Sequence, residues 1–455
     1  MKLKRNLAIA SIAILLSIFA TDQASSYQSQ STLPEWANNA TIYEVNIRQY
    51  TESGTFKDFS SELPRLKKLG VKILWLMPIQ PISEKNRKGV LGSPYSISDY
   101  KGINSEFGTA ADFRLLMEQA HQLGFKVVLD WVANHSGWDN PWIVNKSWYH
   151  QDAEGNVISP NADWSDVAWL NYANLDMRKA MIDAMSFWVK DFDIDGFRAD
   201  VASGVPNNFW EEANSKLQKI KPLFMLAEAQ NTYGLLDKAF VADYNWDLMN
   251  QFKYIATGDY TQSELAAFCN NQKSQYPTKA FPMNFITNHD ENSWNGSEFR
   301  RYGKAVKGLA ALSFIYPGIP LIYSGQEIGN TRELAFFEKD FIPNLHTSNV
   351  YTDLYRNLIT LKANNKSLWL SAPFRLDSIK TNNSKVISVY RSFGSNRVLF
   401  ILNVSDQSQK VTLELGKNSD NYFQFSTGKA KKLGKTINST MNAWGFEIYS
   451  TSPSR

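Results

Sequence analysis

The sequence predicts a (β/α)8 TIM barrel with a small subdomain inserted after strand 3 and a C-terminal antiparallel β-sandwich. Two observations predict the barrel: between residues 42 and 362, helices with apolar spacing alternate with short strands that are apolar throughout, and eight such strands can be counted. This alternation is typical of a parallel sheet covered by helices on both faces. The candidate strands are Ile42–Val45, Ile73–Met77, Val127–Asp130, Ile194–Asp200, Phe224–Glu228, Ala239–Tyr244, Met283–Asn288 and Pro320–Tyr323.

Residues 1–24 are predicted to be a signal peptide. Three of the first five residues are basic, and the apolar stretch Leu7–Ala20 follows. That stretch is shorter than the about 20 residues that span a bilayer, so a retained membrane anchor is the less favoured alternative. We therefore expect a secreted or periplasmic protein. Cys269 is the only cysteine, so no disulfide can form within the chain.

The predicted barrel covers residues 35–366 and contains two long loops, residues 78–107 after strand 2 and residues 136 to about 175 after strand 3. The second loop is too long for a plain connection and is interpreted as a small inserted subdomain. Its five tryptophans either pack a core or form flat platforms for sugar rings, and they are Trp138, Trp142, Trp148, Trp164 and Trp169. The net charge is +4, and part of it lies in the predicted signal peptide. The sequence has no run rich in Lys and Arg of the kind that binds nucleic acid. We therefore expect no nucleic-acid partner.

The pattern changes after residue 366. Short runs with high β-propensity, such as Val386–Tyr390, Val398–Val404 and Val411–Leu415, are separated by polar turns. Strands of this kind indicate an antiparallel sandwich over residues 367–455. The segment has no evident catalytic motif, so we interpret it as an accessory domain.

Charged side chains follow several barrel strands at their carboxyl ends, where barrel enzymes build their active sites. The set comprises Asp200, Glu228, Asp290, Arg198, His135 and His289. A metal site is one interpretation, but the paired His or Cys spacings of zinc sites are missing. Arg198 precedes Asp200 by two residues, lies on the same strand face and is expected to keep Asp200 ionised. Glu228 would then be the protonated partner, and two carboxyls in opposite protonation states are what a glycosidase needs.

These segments resemble the α-amylase family of retaining glycoside hydrolases. The matching motifs are Asp130–His135 after strand 3, Gly196–Asp200 in strand 4, Glu228 after strand 5, Asn288–Asp290 after strand 7 and the loop Gly92–Tyr100. The resemblance covers the chain from about residue 42 to its end. Five motifs in the family's order, each at a strand end, are far more specific than any one of them.

The resemblance implies a role for each matched residue. Asp200 would be the nucleophile, Glu228 the general acid/base, and Asp290 the acid that stabilises the transition state. Tyr95, His135, Arg198 and His289 would bind the sugar. Asp130 is alternatively a structural acid that holds Arg198.

The resemblance leaves open whether the protein binds calcium. Many amylases hold Ca²⁺ with the asparagine after strand 3, a carbonyl after the nucleophile and acids of the inserted subdomain. Here Asn134 and the Gly204 carbonyl could serve, and Asp152, Asp163 and Asp166 are further oxygen donors. However, Trp169 stands about where the family often has an acid.

Three functional hypotheses follow. The first is a secreted, monomeric α-amylase that hydrolyses internal α-1,4 bonds of starch-like glucans or maltooligosaccharides. The second is an exo-acting α-glucosidase or a transglycosylase on the same scaffold. The third is a non-catalytic glucan-binding protein, which the three intact acids argue against.

Overall fold

The computed structural model of the chain describes residues 33–454. The predicted signal peptide lies outside these residues. Within them, no helix is long and apolar enough to cross a membrane.

Eight parallel strands form a closed barrel, as predicted. Their order around the barrel is β1-β10-β9-β8-β7-β6-β3-β2. The first and last strands close it, with Ile42 opposite Leu321. The strands are β1 Ile42–Val45, β2 Ile73–Leu76, β3 Lys126–Val132, β6 Gly196–Asp200, β7 Phe224–Ala227, β8 Ala242–Tyr244, β9 Phe281–Asn284 and β10 Ile319–Tyr323, while β4 His135–Gly137 and β5 Val167–Trp169 belong to the subdomain.

Helices surround the barrel, and several of them begin where a side chain accepts a hydrogen bond from a free backbone N–H group. Thr109 caps α3 in a reciprocal capping box with Asp112. α2 ends at Gly70, whose φ of +100° favours glycine. The helices are α1 Ile47–Tyr50, α2 Phe56–Leu69, α3 Ala110–Gln122, α4 Leu175–Asp191, α5 Asn207–Leu217, α6 Trp246–Thr257, α7 Gln262–Gln275, α8 Glu298–Tyr302, α9 Val306–Ile315 and α10 Val350–Asn364.

The long segment between β3 and α4 forms a small lobe over the barrel mouth. Its two strands, β4 and β5, are antiparallel and pair His135 with Trp169. Tyr149 is buried and bonds to Ser136 at 2.8 Å. Of the five tryptophans, Trp138, Trp142 and Trp148 pack against the core. Most of these aromatic residues therefore stabilise the lobe, and Trp164 alone of the five lines the cleft described below.

The chain ends in two antiparallel sheets of six and three strands. Side chains from both sheets share one apolar cluster, which includes Leu399, Ile401, Val411 and Leu413. This arrangement is the predicted sandwich. The strands are β11 Asp377–Ser378, β12 Lys380–Thr381, β13 Val386–Phe393, β14 Asn396–Asn403, β15 Gln409–Glu414, β16 Asp420–Gln424, β17 Ala430–Leu433, β18 Thr436–Met441 and β19 Phe446–Ser450.

The seventh barrel strand differs from the prediction. β9 begins at Phe281 and ends at Asn284, whereas the sequence pattern extended it to Asn288. Asn284 turns its amide onto three carbonyls of the segment that precedes β10, including Tyr316 O at 3.2 Å. Asn288 lies in irregular backbone beyond the strand, and His289 and Asp290 begin a helical turn that continues through Glu291–Asn295.

Candidate active site

A cavity of about 500 Å³ opens at the carboxyl ends of the barrel strands. Six of the predicted site residues line it together: Tyr95, His135, Asp200, Glu228, His289 and Asp290. Arg198 lies directly beneath them and is fully buried. The structure therefore brings the predicted catalytic and sugar-binding residues to one place.

Arg198 is the electrostatic centre of the site. Its Nη1 lies 2.8 Å from Asp130 Oδ1 and 3.1 Å from Asp200 Oδ1, and its Nη2 lies 3.0 Å from Glu228 Oε1. Its Nε donates to the Tyr244 hydroxyl at 3.0 Å. One guanidinium thus holds both carboxyls that are expected to react. Asp130 also contacts Arg198, and this is the structural role that the sequence argument gave to Asp130 as an alternative. Tyr244 was not singled out by the sequence argument.

The protonation of Asp200 differs from the expectation. Burial and the neighbouring Glu228 carboxylate raise the pKa of Asp200 well above its usual value, and Arg198 only partly opposes them. The reason is that the single positive charge of Arg198 is divided among three carboxylates. Asp200 therefore holds a proton more strongly than a free aspartate does.

Glu228 is positioned by the backbone that follows Asp200. The N–H of Val201 donates to Glu228 Oε2 at 2.7 Å. Val201 adopts φ +42° and ψ +47°, a left-handed conformation that is costly for a β-branched residue. This conformation aims the Val201 N–H at the carboxyl of Glu228.

His289 carries a buried charge network that the sequence argument missed. Its Nδ1 bonds to Glu44 of β1, and its Nε2 lies 2.8 Å from the Tyr95 hydroxyl and 3.3 Å from Asp290 Oδ2. Burial lowers the pKa of His289, but the Asp290 and Glu44 carboxylates together raise it to about 9. His289 is thus an imidazolium at neutral pH and can donate hydrogen bonds to a ligand.

His135 has the opposite character. Burial lowers its pKa to about 4, so the ring is neutral at working pH. Its Nδ1 lies 3.2 Å from the amide of Asn134, and its ring centre is 5.6 Å from that of Trp164. A neutral imidazole can both donate to and accept from sugar hydroxyls.

One wall of the cavity is aromatic. Phe336 stacks on Tyr95 with an interplanar angle of 10°, and Trp294 lies 5.1 Å from Phe336 between ring centres. Trp294 and Phe337 also line the cavity. The predicted platform therefore comes largely from the loops after β9 and β10 rather than from the inserted subdomain. The sequence argument did not single out these residues.

The two predicted calcium ligands are neighbours in the structure. A side chain at Gly204 would meet Asn134 Oδ1 at 2.8 Å, so the two residues are adjacent. Asp166 instead pairs with Lys88 at 3.2 Å, and Asp152 accepts the N–H of Asn156. Between residues 33 and 454, no cluster of three or more acidic, His or Cys side chains is arranged to hold a metal. Calcium takes six to eight oxygens, of which Asn134 and the Gly204 carbonyl would supply two.

Comparisons with known proteins agree with this geometry. A family model for the α-amylase catalytic domain matches residues 37–169 and 145–367. An α-amylase from Lactobacillus plantarum has a similar structure, with a TM-score of 0.79 and 30% identity over 91% of this chain and 99% of that one. A noncanonic maltogenic α-amylase, AmyB from Thermotoga neapolitana, gives a TM-score of 0.81 at 28% identity and covers 91% and 98%.

A curated relative is similar over part of this chain. Alpha-amylase MalA of Haloarcula japonica is 30% identical over 313 residues, which are 65% of this chain. The matched region spans 45% of the Haloarcula protein, less than half of its length.

Proposed function

The chain belongs to the α-amylase family of glycoside hydrolases, and we propose that it hydrolyses α-1,4-glucosidic bonds of starch-like glucans with retention of configuration. One observation carries the proposal. A single buried guanidinium, Arg198, contacts both Asp200 and Glu228 where they line the cavity. Retaining glycosidases need two carboxyls held close together in this manner.

In the first step, the Glu228 carboxyl gives its proton to the glycosidic oxygen while a carboxylate oxygen of Asp200 attacks the anomeric carbon. The bond to the leaving glucan breaks, and the sugar remains joined to Asp200 as an ester. In the second step, the Glu228 carboxylate takes a proton from water as that water attacks the same carbon. Asp200 departs as a carboxylate and Glu228 regains its proton.

The surrounding residues support this sequence. The Val201 N–H and Arg198 hold the Glu228 carboxyl in place beside Asp200. The imidazolium of His289 and the neutral His135 are suited to bind sugar hydroxyls, and Asp290 supplies negative charge beside the oxocarbenium-like transition state. Arg198 and Tyr95 keep the floor of the site rigid.

The mechanism is tested by chemical rescue. Glu228→Gln should lower kcat on maltooligosaccharides by about 10²- to 10⁴-fold, because protonation of the leaving group is lost. Activity on α-maltosyl fluoride should persist, since fluoride leaves without a proton. With azide, Glu228→Gln should form the α-glycosyl azide, whereas Asp200→Asn should form the β-azide or none.

Glu212→Gln is the matched control, since Glu212 lies on the outer helix α5 and pairs there with Arg178 of α4. It should retain full activity. Normal starch hydrolysis by Glu228→Gln, or an inverted product from the native enzyme, would overturn the proposal. Release of the same products by Asp200→Asn would overturn it as well.

We also propose that the protein is exported to the periplasm or medium and acts there as a monomer without a membrane anchor. The basic start and the short apolar stretch of the sequence support this proposal. The N-terminal residue and mass of the mature protein, recovered from cell fractions, test it. An uncleaved chain confined to the cytoplasm would contradict it.

A further inference from the structure

The loop between β2 and α3 crosses one end of the cavity. We call residues 88–91 of this loop the strap. At one end of the strap, Lys88 Nζ pairs with Asp166 Oδ1 at 3.2 Å and donates to the Asp163 carbonyl. Both acids belong to the inserted subdomain, so the strap is fastened to one wall of the cleft.

The other end of the strap is fastened to the opposite wall. The N–H of Val90 donates to Glu338 Oε1 at 3.1 Å, and that of Leu91 donates to the Phe337 carbonyl at 3.0 Å. Gly89 has φ +64°, and a Cβ at this position would come within 2.4 Å of Phe337 Cβ. The strap therefore approaches the loop after β10 too closely for a larger residue at Gly89.

A third contact holds the base of the strap. Arg48 is buried and donates from Nη1 to the Gly92 carbonyl at 3.0 Å and from Nη2 to the Leu91 carbonyl at 3.3 Å. Three separate segments of the chain thus fix the same short stretch of backbone. A stretch fixed in this way is a wall of the cleft rather than a free loop.

The neighbours of the strap's anchors contact two residues that are expected to bind the sugar: the His135 ring is 5.6 Å from Trp164, and Tyr95 stacks on Phe336 at 6.3 Å. Glu228, which would protonate the departing aglycon, instead contacts Arg198 and Val201. On the proposed mechanism, these contacts assign the strap to the glycon side, so that a chain extending from the glycon sugar runs toward the strap and the aglycon leaves past Glu228.

From this arrangement we propose that the strap closes the glycon end of the cleft, so that the enzyme removes short fragments from the non-reducing ends of α-glucans. The inference rests on the function proposed above and specifies its substrate class as free chain ends. The cavity of about 500 Å³ also lies within the range of about 300–1,000 Å³ usual for pockets that enclose small ligands.

Two substrates and one double variant test the role of the strap. The first substrate is maltoheptaose labelled at its reducing end, and the second is the same sugar with an ethylidene cap on its non-reducing end. The native enzyme should shorten the first substrate stepwise from its unlabelled end. It should cleave the capped sugar slower by about ten-fold or more, because the cap meets the closed wall.

The variant Lys88→Ala/Glu338→Ala removes one side-chain anchor at each end of the strap. We expect it to cleave the capped sugar at a rate much closer to that of the uncapped one and to release longer fragments. Lys85→Ala is the matched control, because Lys85 lies in the same loop, does not line the cavity and extends over Trp138. The control should discriminate as the native enzyme does.

The outcomes separate the two proposals. Equal cleavage of capped and uncapped sugar by the native enzyme, or undiminished discrimination by a folded double variant, would overturn the role of the strap. Hydrolysis that is absent, or that is independent of Asp200 and Glu228, would instead overturn the proposed function. A thermal midpoint near that of the native enzyme establishes that the double variant is folded.

Discussion

The carboxylate of Glu44 lies 2.5 Å from Nδ1 of His289, and both side chains are almost completely buried. The two residues come from opposite ends of the barrel sequence and meet beneath the cavity. Glu44 Oε2 has no hydrogen-bond partner among the residues that the structure describes. Among those residues, His289 is thus the only one that hydrogen-bonds to the buried carboxylate of Glu44. The charge of each residue therefore depends on that of the other.

We predict that Glu44→Gln moves the alkaline limit of activity to lower pH. Asp290 and Glu44 raise the pKa of His289 to about 9, so the imidazolium persists through neutral pH. Removing one of these charges should lower that pKa, and with it the alkaline limb of kcat/KM, by on the order of one pH unit. Profiles of kcat and KM between about pH 5 and 10 measure the shift.

Glu44→Asp keeps the charge and serves as the conservative control, whose alkaline limb should stay near that of the native enzyme. The same pair also predicts a stability effect. A histidine whose folded pKa is raised contributes its full stabilisation below about pH 6.5 and loses it as the pH rises through about 9. An unchanged pH profile in Glu44→Gln would contradict the coupling.

We predict that Asp195→Asn destabilises the foot of the barrel. Burial raises the pKa of Asp195, but bonds from His121, the Val127 N–H and Lys126, with the charge of Lys221, lower it to about 2. The shift of roughly two units corresponds to about 2 kcal/mol at neutral pH. This stabilisation is present above about pH 4 and is lost as the pH falls toward 2. Urea unfolding at pH values on either side of this window measures it.

Asp183→Asn is the control for that experiment, because Asp183 forms an exposed pair with Lys179. Exposed pairs contribute about 1 kcal/mol or less. Equal losses in the two variants would show that the Asp195 network stabilises no more than a surface ion pair does.

We predict that chelation leaves the thermal midpoint unchanged. Asn134 and Gly204 are adjacent, but Asp166, a further candidate donor, is already paired with Lys88. Calorimetric scans with EDTA and with added CaCl₂ should therefore coincide. A lower midpoint in EDTA that Ca²⁺ restores would establish a site that these residues do not account for.

We predict that Trp294→Ala weakens substrate binding without unfolding the protein. Trp294 is 58% exposed and forms the outer part of the aromatic wall beside Phe336. Loss of one stacking face, worth about 0.5–1.5 kcal/mol, should raise KM by roughly two- to ten-fold. Phe393→Ala, which removes another exposed aromatic ring from the C-terminal sheet, should leave KM unchanged. Steady-state kinetics on maltooligosaccharides distinguish the two variants.

The barrel could be predicted because its strands are apolar on both faces and its helices on one. The pattern also predicted carboxylates at the ends of two strands, where Asp200 and Glu228 line the cavity, since a carboxylate directly after a buried strand has few structural explanations. The end of β9 was misplaced by four residues, because the apolar residues Phe285 and Ile286 continue a strand-like pattern in irregular backbone.

Other features depend on residues that are distant in sequence. Glu44 lies within a predicted strand, and nothing near it indicates that its partner is His289. The sequence argument offered Asp130 and Asp200 as partners of Arg198, but it did not predict that Glu228, which follows the neighbouring strand, shares the same guanidinium. The strap consists of loop residues whose contacts are largely backbone hydrogen bonds, and these leave no signature in side-chain chemistry.

The closure of the barrel between β1 and β10 has a consequence for assembly. Ile42 pairs with Ile73 on one side and with Leu321 on the other. During synthesis, the first strand therefore keeps an unpaired edge until almost the whole barrel sequence has left the ribosome. Pairings between such distant segments form slowly, because a long loop must close before they stabilise the chain. The export proposed above would gain from this delay, because a chain whose barrel is unfinished can still be passed through a membrane.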